Sequence, residues 1–340
     1  RIAVKLLGLY GTIAVLAFAY WLFPEYNKDT YVQFQRIAHL MLPYVVPVCA
    51  VYFIWLDGYM REPEDEYYQA GKFFLGQWKS LDTTRLAYHA RGWLVKGFFL
   101  PMMVNYLYNN YELVLMYPFD GPVEFFLTFD FIITMLYIVD LLPTCIGYAL
   151  SCRLTENHIR STDPTLKGWV ACLACYTPFW HGLLYYSYFP NMDGENWVYF
   201  FGDSPLRWLW AAMIITSLTI YASASVCFGV RWSNLTYRGL ISTGVYGWTK
   251  HPAYIAKNFS WWLIAVPFMV EGEWLDSLKQ IVFMLCVNFI YYQRAITEEK
   301  HLSQFPEYRD YADWMNDHGK LRFIGKLIPY FKYDAKRYGY

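Results

Sequence analysis

Residues 206–228 read LRWLWAAMIITSLTIYASASVCF, and Arg207 is the single charged side chain in this run. A helix needs about 20 mainly apolar residues to cross the hydrocarbon core of a bilayer. It also satisfies its backbone hydrogen bonds within one segment, which an apolar solvent demands. The run therefore predicts a transmembrane helix, and it sets the standard by which the rest of the chain is divided.

Seven other segments approach this standard of length and apolar content. The third is the weakest, because it contains Lys96 and Pro101. The eight candidate spans are 3–23, 38–56, 92–109, 124–150, 168–188, 206–228, 252–271 and 276–297. The sequence thus predicts an all-α fold, a polytopic transmembrane helical bundle of about eight spans.

The amino-acid composition agrees with a membrane protein. Apolar residues make up 56% of the chain and charged residues 16%, whereas soluble domains have about 25% charged residues. The 15 Trp and 33 Tyr are the residue types that concentrate at membrane–water interfaces. The formal net charge is zero, so the basic excess expected of a nucleic-acid-binding protein is missing.

Basic residues are distributed unevenly between the loops on the two sides of the predicted bundle. The loops on one side carry only Lys28 and Arg36. The basic side comprises 57–91, 151–167, 229–251 and the tail after 297. Because cytoplasmic loops are enriched in Lys and Arg, we expect both termini to be cytoplasmic.

The pattern along the chain predicts two functional regions. We expect residues 1–228, which are mainly hydrophobic helices, to form the lipid and substrate side, and residues 229–340 to contain two spans, a cytoplasmic pocket and a polar tail. Within loop 57–91 we expect a surface helix from Pro63 to Phe74, because proline suits a first helical position.

Residues 242–254, STGVYGWTKHPAY, contain the first half of an unusual polar constellation. Pro252 fits the first turn of the seventh span, where its missing N–H costs nothing. His251 then lies at the entrance of that span. The short acidic turn at 271–274 joins spans seven and eight into a tight hairpin.

The second half of the constellation lies in residues 294–302, RAITEEKHL. The hairpin returns the chain to the same membrane face, so this segment is predicted to lie beside the start of the seventh span. Arg294 and Glu298 are four residues apart and share one helix face. The predicted pocket combines both signs of charge, an imidazole and aromatic rings, which suits a zwitterionic, aromatic small ligand.

The order TGxY…HPxY, then R…EE…L…F…EY…Y, resembles the isoprenylcysteine carboxyl methyltransferase family over roughly 229–315. Phospholipid N-methyltransferases share this C-terminal pattern. The resemblance implies a polytopic enzyme that uses S-adenosylmethionine (SAM) and acts on a lipid or prenylated substrate. A second segment, 157–165, resembles bacterial proteins assigned to that family, which suggests a bacterial inner membrane.

The resemblance also implies which side chains contact the cofactor. It assigns catalytic roles to His251, Glu298 and Arg294. The implied cofactor-binding residues are Gly244, Tyr246, Lys250, His251, Pro252, Tyr254, Arg294, Glu298 and Glu299. The chain departs from the family pattern at Lys250, where arginine is common, and at Ala256, where glycine is common and Lys257 follows.

Other interpretations remain open at this point. An NADPH-dependent membrane reductase of the sterol reductase type shares the HPxY hairpin, and a non-catalytic subunit could retain the fold. The site residues themselves could be structural. His251 could be a hydrogen-bonded histidine at the start of a helix, and the acidic pair, Glu298 and Glu299, could lie on a solvated helix face. Arg294 could be a cation that snorkels to the membrane boundary. The sequence leaves the methyl acceptor, the methylated atom and the oligomeric state undetermined.

Three features of the sequence lie outside the constellation. Asp130 and Asp140 lie in the fourth predicted span, where a charge is costly and indicates a functional or paired residue; Arg91 and Lys96 are candidate partners. Cys172 and Cys175 form a CxxC that favours apolar packing over redox chemistry. His181 is expected to be a packed, hydrogen-bonded histidine, and no metal site is predicted.

Overall fold

The computed structural model describes residues 1–119, 121, 124–180, 196–269 and 274–340, with the side chain of Tyr330 also left out. The described chain is mainly α-helical, as predicted. It forms two compact units, residues 1–109 and 110–340. His181 and the turn at 271–273 lie outside the described residues.

The first unit consists of α1 (Ile2–Leu22), α2 (Val32–Asp57), α3 (Glu66–Phe74) and most of α4 (Thr83–Leu115). Lys5, a buried lysine on α1, joins the first three helices. Its ammonium lies 2.9 Å from a carboxylate oxygen of Asp57 and 3.4 Å from one of Asp65.

Helix α3 starts three residues later than we expected. Asp65, rather than Glu62 before Pro63, is its N-cap, because an Asp65 carboxylate oxygen accepts a 3.1 Å hydrogen bond from the backbone N–H of Tyr68. Such a cap satisfies one of the free donors of a first turn. The start of the helix is therefore decided by the capping aspartate.

The second unit contains the remaining helices and all of the predicted site residues. Its helices are α5 (Phe125–Ala149), α6 (Leu166–Leu173), α7 (Trp197–Phe201), α8 (Leu206–Phe228), α9 (Pro252–Ala265), α10 (Trp274–Leu302), α11 (Pro306–His318) and α12 (Arg322–Leu327). Strands β1 (Ser161–Thr162) and β2 (Thr236–Tyr237) form one short antiparallel pair.

Four helical segments are long and apolar enough to cross a membrane in the described chain. They are Ile2–Leu22, Asp29–Asp57, Phe125–Ala149 and Leu206–Arg231, and they correspond to the first, second, fourth and sixth predicted spans. Helix α9 has 14 residues, which is about 21 Å of helix. The count of eight spans and the cytoplasmic termini stay predictions.

Helix α8 packs between α5 and α9 and so holds α9, which begins at the predicted site, in position. Apolar side chains of the three helices share one core, which includes Phe129, Ile214 and Leu263. Polar contacts add to it: the Ser217 hydroxyl donates a 2.7 Å hydrogen bond to the carbonyl of Ala256 on α9. The start of α9 is therefore fixed against a long apolar helix.

The end of α5 approaches the backbone of residues 230–234 very closely. A Cβ on Gly147 would lie 2.5 Å from the carbonyl oxygen of Trp232. The Gly147 carbonyl itself accepts a 2.6 Å hydrogen bond from Arg238. A glycine is required here because any side chain would push away the loop that leads to Asn234.

We predict that Gly147→Ala lowers the free energy of unfolding by about 1–3 kcal/mol, the usual cost of overpacking. Helix propensity alone would make alanine the more stable residue, so a loss reports the close contact. Thermal unfolding in detergent measures it. Gly58→Ala is the control, because the nearest atom to its Cβ is 3.9 Å away; equal melting temperatures for the two variants would contradict the prediction.

Candidate functional site

Glu299 is the buried anchor of the site. One carboxylate oxygen lies 2.6 Å from the ammonium of Lys250 and 3.0 Å from Nε2 of His251. The other accepts a 2.8 Å hydrogen bond from the hydroxyl of Tyr338. A single carboxylate thus joins the start of α9, the end of α10 and the C-terminal tail.

The pKa of Glu299 shows that these partners outweigh its burial. Burial alone raises the pKa of a carboxyl group. The hydrogen bond with His251 and the charge of Lys250 act in the opposite direction, and together they lower the pKa from 4.5 to about 2. Glu299 is therefore a stable anion in the interior at neutral pH.

Glu298, the neighbouring acid, faces a different side of the structure. The hydroxyl of Tyr254 donates a 2.6 Å hydrogen bond to one of its carboxylate oxygens. The ring of Tyr254 stacks on that of His251, with 5.5 Å between ring centroids and an interplanar angle of 7°. The stacked pair separates the two glutamates.

Arg294 is buried, with 8% of its surface exposed, rather than extended to a membrane boundary. Its guanidinium donates hydrogen bonds to the side-chain carbonyl of Asn234 and, at 3.5 Å, to the hydroxyl of Tyr176. It also lies 5.0 Å from the ring centroid of Tyr254. A cation over an aromatic face is stabilised by the ring quadrupole, so Arg294 ties the loop before β2 to α9.

The predicted tight turn forms a 3-10 helix, Gly244–Gly247. Gly244 has φ of +60°, and a Cβ there would lie 2.5 Å from the sulfur of Cys227. Both facts require glycine. The carbonyl of Tyr246 accepts a 2.7 Å hydrogen bond from Tyr311 on α11, which fixes the turn against the tail.

These residues surround a polar cavity of about 950 Å³, part of it open to solvent. Its walls come from α6, α8, α9, α10 and the loops around β2. The lining side chains include Asp163, Tyr176, Tyr221, Ser225, Asn234, Tyr246, Lys250, His251, Tyr254, Lys257, Tyr291, Arg294 and Glu298. We call this space the polar cavity.

An apolar groove of about 1850 Å³, including its open mouth, lies on the other side of the stacked pair. It runs along α9 and α10 and is bounded by the tail. Its lining includes Ile255, Phe259, Trp262, Leu285, Phe289, Tyr292, Ile296, Ile324 and Phe331. Lys250, His251, Tyr254 and Tyr291 line both spaces, so these four side chains form a common wall.

The segment 157–165 also reaches the polar cavity. Asp163 lines it, and a Cβ on Gly168 would lie 1.9 Å from the Asp163 carboxylate. The hydroxyl of Ser161 is 2.9 Å from Nε2 of His301 on α10. The function of this segment could not be derived from its spacing, because its position depends on the β1–β2 pairing.

The structure also shows the surroundings of residues outside the constellation. Asp140 accepts hydrogen bonds from the hydroxyls of Tyr221, at 2.9 Å, and of Ser225. Cys172 and Cys175 are free, buried cysteines. Among the described residues, no group of three His, Cys, Asp or Glu side chains has the arrangement of a metal site.

Comparisons with known proteins point to the same part of the chain. Residues 208–304 match the model of the isoprenylcysteine carboxyl methyltransferase (ICMT) family. The C-terminal region is ICMT-like. The chain is also 34% identical over 76 residues to Protein-S-isoprenylcysteine O-methyltransferase of Saccharomyces cerevisiae. The aligned stretch covers 22% of this chain and 29% of that protein. No solved structure matches the chain.

The ICMT-like match contains the whole common wall and both Glu298 and Glu299, and it ends at residue 304, just before α11. The chain spans about three-tenths of the length of its Saccharomyces cerevisiae relative. The matched residues include His251, Tyr254, Arg294 and Glu299, which the sequence pattern had already singled out. Tyr338, which completes the shell around Glu299, lies outside the match.

We predict that Glu299→Gln changes the dependence of stability on pH. The folded-state pKa of Glu299 is depressed, so its stabilisation is present above pH 4.5 and is lost as the pH falls towards 2. A shift of this size corresponds to about 3 kcal/mol. The variant should be less stable at neutral pH and should lose less stability on acidification.

Chemical denaturation in detergent at several pH values measures this difference. Subtracting the variant from the wild type removes the contribution of the other carboxylates. Identical pH profiles for the two proteins would contradict the assigned ion pair.

Proposed function

We propose that this chain is an integral membrane methyltransferase that uses SAM and methylates a lipid-linked, isoprenyl-type acceptor at the cytoplasmic membrane face. The observation that carries the proposal is the common wall. A polar cavity and an apolar groove meet at Lys250, His251, Tyr254 and Tyr291. A reaction between a polar cofactor and a lipid needs two such spaces in contact.

The polar cavity has the charged and aromatic groups that SAM needs. The carboxylate of Glu298 suits its amino group, and the guanidinium of Arg294 supplies positive charge for its carboxylate. The rings of Tyr176 and Tyr246 offer flat surfaces for the adenine. The residues present therefore fit a zwitterionic nucleoside.

A bound sulfonium methyl donor supplies an electrophilic carbon, which a nucleophile attacks while the bonding electron pair leaves with sulfur. A carboxylate nucleophile reacts without losing a proton. The chain then has to align the reactants and keep water away from the nucleophile. The stacked His251 and Tyr254, held by Glu299 and Glu298, give the site a rigid wall for this alignment.

The apolar groove suits the lipid part of the acceptor. Side chains that line it are partly exposed along α9 and α10: Phe259 is 52% and Phe289 60% exposed. Exposed apolar side chains on membrane helices are solvated by lipid. A prenyl chain can therefore enter the groove sideways from the bilayer, while the cofactor enters the polar cavity from water.

We predict that the purified protein binds S-adenosylhomocysteine in titration calorimetry, and that His251→Ala and Glu298→Gln each weaken this binding at least fivefold. The first variant removes part of the wall, and the second removes the charge expected to meet the amino group. Glu156→Gln is the matched control, because that glutamate side chain is 73% exposed and does not line the polar cavity.

NADPH is titrated in the same experiment. Tight binding of NADPH without S-adenosylhomocysteine would replace this proposal by a reductase, and binding of neither would favour a non-catalytic subunit. Unchanged S-adenosylhomocysteine affinity in both site variants would overturn the assignment of the polar cavity.

A further inference from the structure

Lys257 is a cation in the polar cavity whose hydrogen-bonding capacity is unused. Its ammonium lies 5.2 Å from the ring centroid of Tyr221 and 5.3 Å from that of Trp261. Among the residues that the structure describes, it has no hydrogen bond or ion pair. The other two cations of the cavity differ, because Lys250 is paired with Glu299 and Arg294 with Asn234.

The side chains around this ammonium leave its hydrogen-bond donors unsaturated. Asp140 on α5 attracts Lys257 electrostatically, but its two carboxylate oxygens already accept hydrogen bonds from Tyr221 and Ser225. Tyr221 therefore lies between the two charges, bonded to one and facing the other with its ring. An ammonium has three donors, and these remain available to a ligand.

The position of Lys257 along α9 separates it from three of the groups assigned to the cofactor, namely His251, Glu298 and Tyr246. Arg294, a fourth, is close enough to act on it electrostatically. It lies six residues after His251, which is about 9 Å of helix rise. Glu298 and Tyr246 lie near the start of α9 and the loops. Lys257 therefore faces the part of the polar cavity that is deepest in the predicted seventh span.

We propose that Lys257 binds the carboxylate of the methyl acceptor and so selects that group over an uncharged one such as a carboxamide. The proposal rests on the proposed function and adds a specificity-determining residue to it. An unpaired ammonium in a partly desolvated cavity attracts an anion and repels an alkylammonium group. A carboxylate oxygen bound there attacks the donor carbon as an anion, and no proton has to be removed.

The test uses two ligands that differ in one group: an N-acylated S-prenylcysteine with a free carboxylate, and its carboxamide. Calorimetry measures their binding to the full chain in the presence of S-adenosylhomocysteine. We expect the wild type to prefer the carboxylate at least tenfold. Lys257→Met should lose this preference while its affinity for S-adenosylhomocysteine stays within twofold of the wild type.

Lys257→Arg should keep the preference, because it keeps the charge. Lys300→Met is the matched control, since Lys300 is exposed at the end of α10 and outside the cavity. Lys257→Gln replaces the methionine variant if the latter fails to fold, as judged by its melting temperature.

Two results would overturn the inference while leaving the proposed function intact. One is a Lys257→Met protein that still prefers the carboxylate and binds S-adenosylhomocysteine normally. The other is a Lys257→Met protein whose S-adenosylhomocysteine affinity falls tenfold with an unchanged ligand preference, which would assign Lys257 to the cofactor. A wild type that binds neither S-adenosylhomocysteine nor the acceptor would instead contradict the proposed function itself.

Discussion

The buried carboxylate of Glu299 is the constraint on which the site depends. An uncompensated charge in the interior costs several kcal/mol, so Glu299 requires Lys250, His251 and Tyr338 to stay in place. The first two precede α9 and the third belongs to the tail. Satisfying one anion therefore fixes the mouth of the α9–α10 hairpin and closes the C-terminal tail over it.

The common wall follows from this constraint. Because Glu299 holds His251, the imidazole cannot turn away from Tyr254, and their rings stack. Successive residues of a helix point about 100° apart, so Glu298 reaches the polar cavity while Glu299 faces the groove. Two adjacent acids thus act in different ways: one maintains the wall, and the other is available to a ligand on its polar side.

The sequence predicted the parts of this arrangement that leave a local signal. The apolar run at 206–228 coincides with α8, and His-Pro at a helix start with an acidic pair at a helix end predicted their proximity. The contacts of Tyr338 and Asn234 were not predicted, since they join residues 39 and 60 positions apart without any periodic pattern. In the sequence Lys257 is distinguished only as a departure from the family pattern, because its unused donors depend on neighbours that the fold brings together.

The most direct test is an experimental structure of the wild-type protein with S-adenosylhomocysteine in a lipid nanodisc. The account predicts the ligand in the polar cavity, with its amino group within hydrogen-bond distance of Glu298 and with the contacts of Glu299 to Lys250 and His251 retained. Ligand density in the apolar groove, or a Glu299 side chain that leaves its partners to bind the ligand, would contradict it.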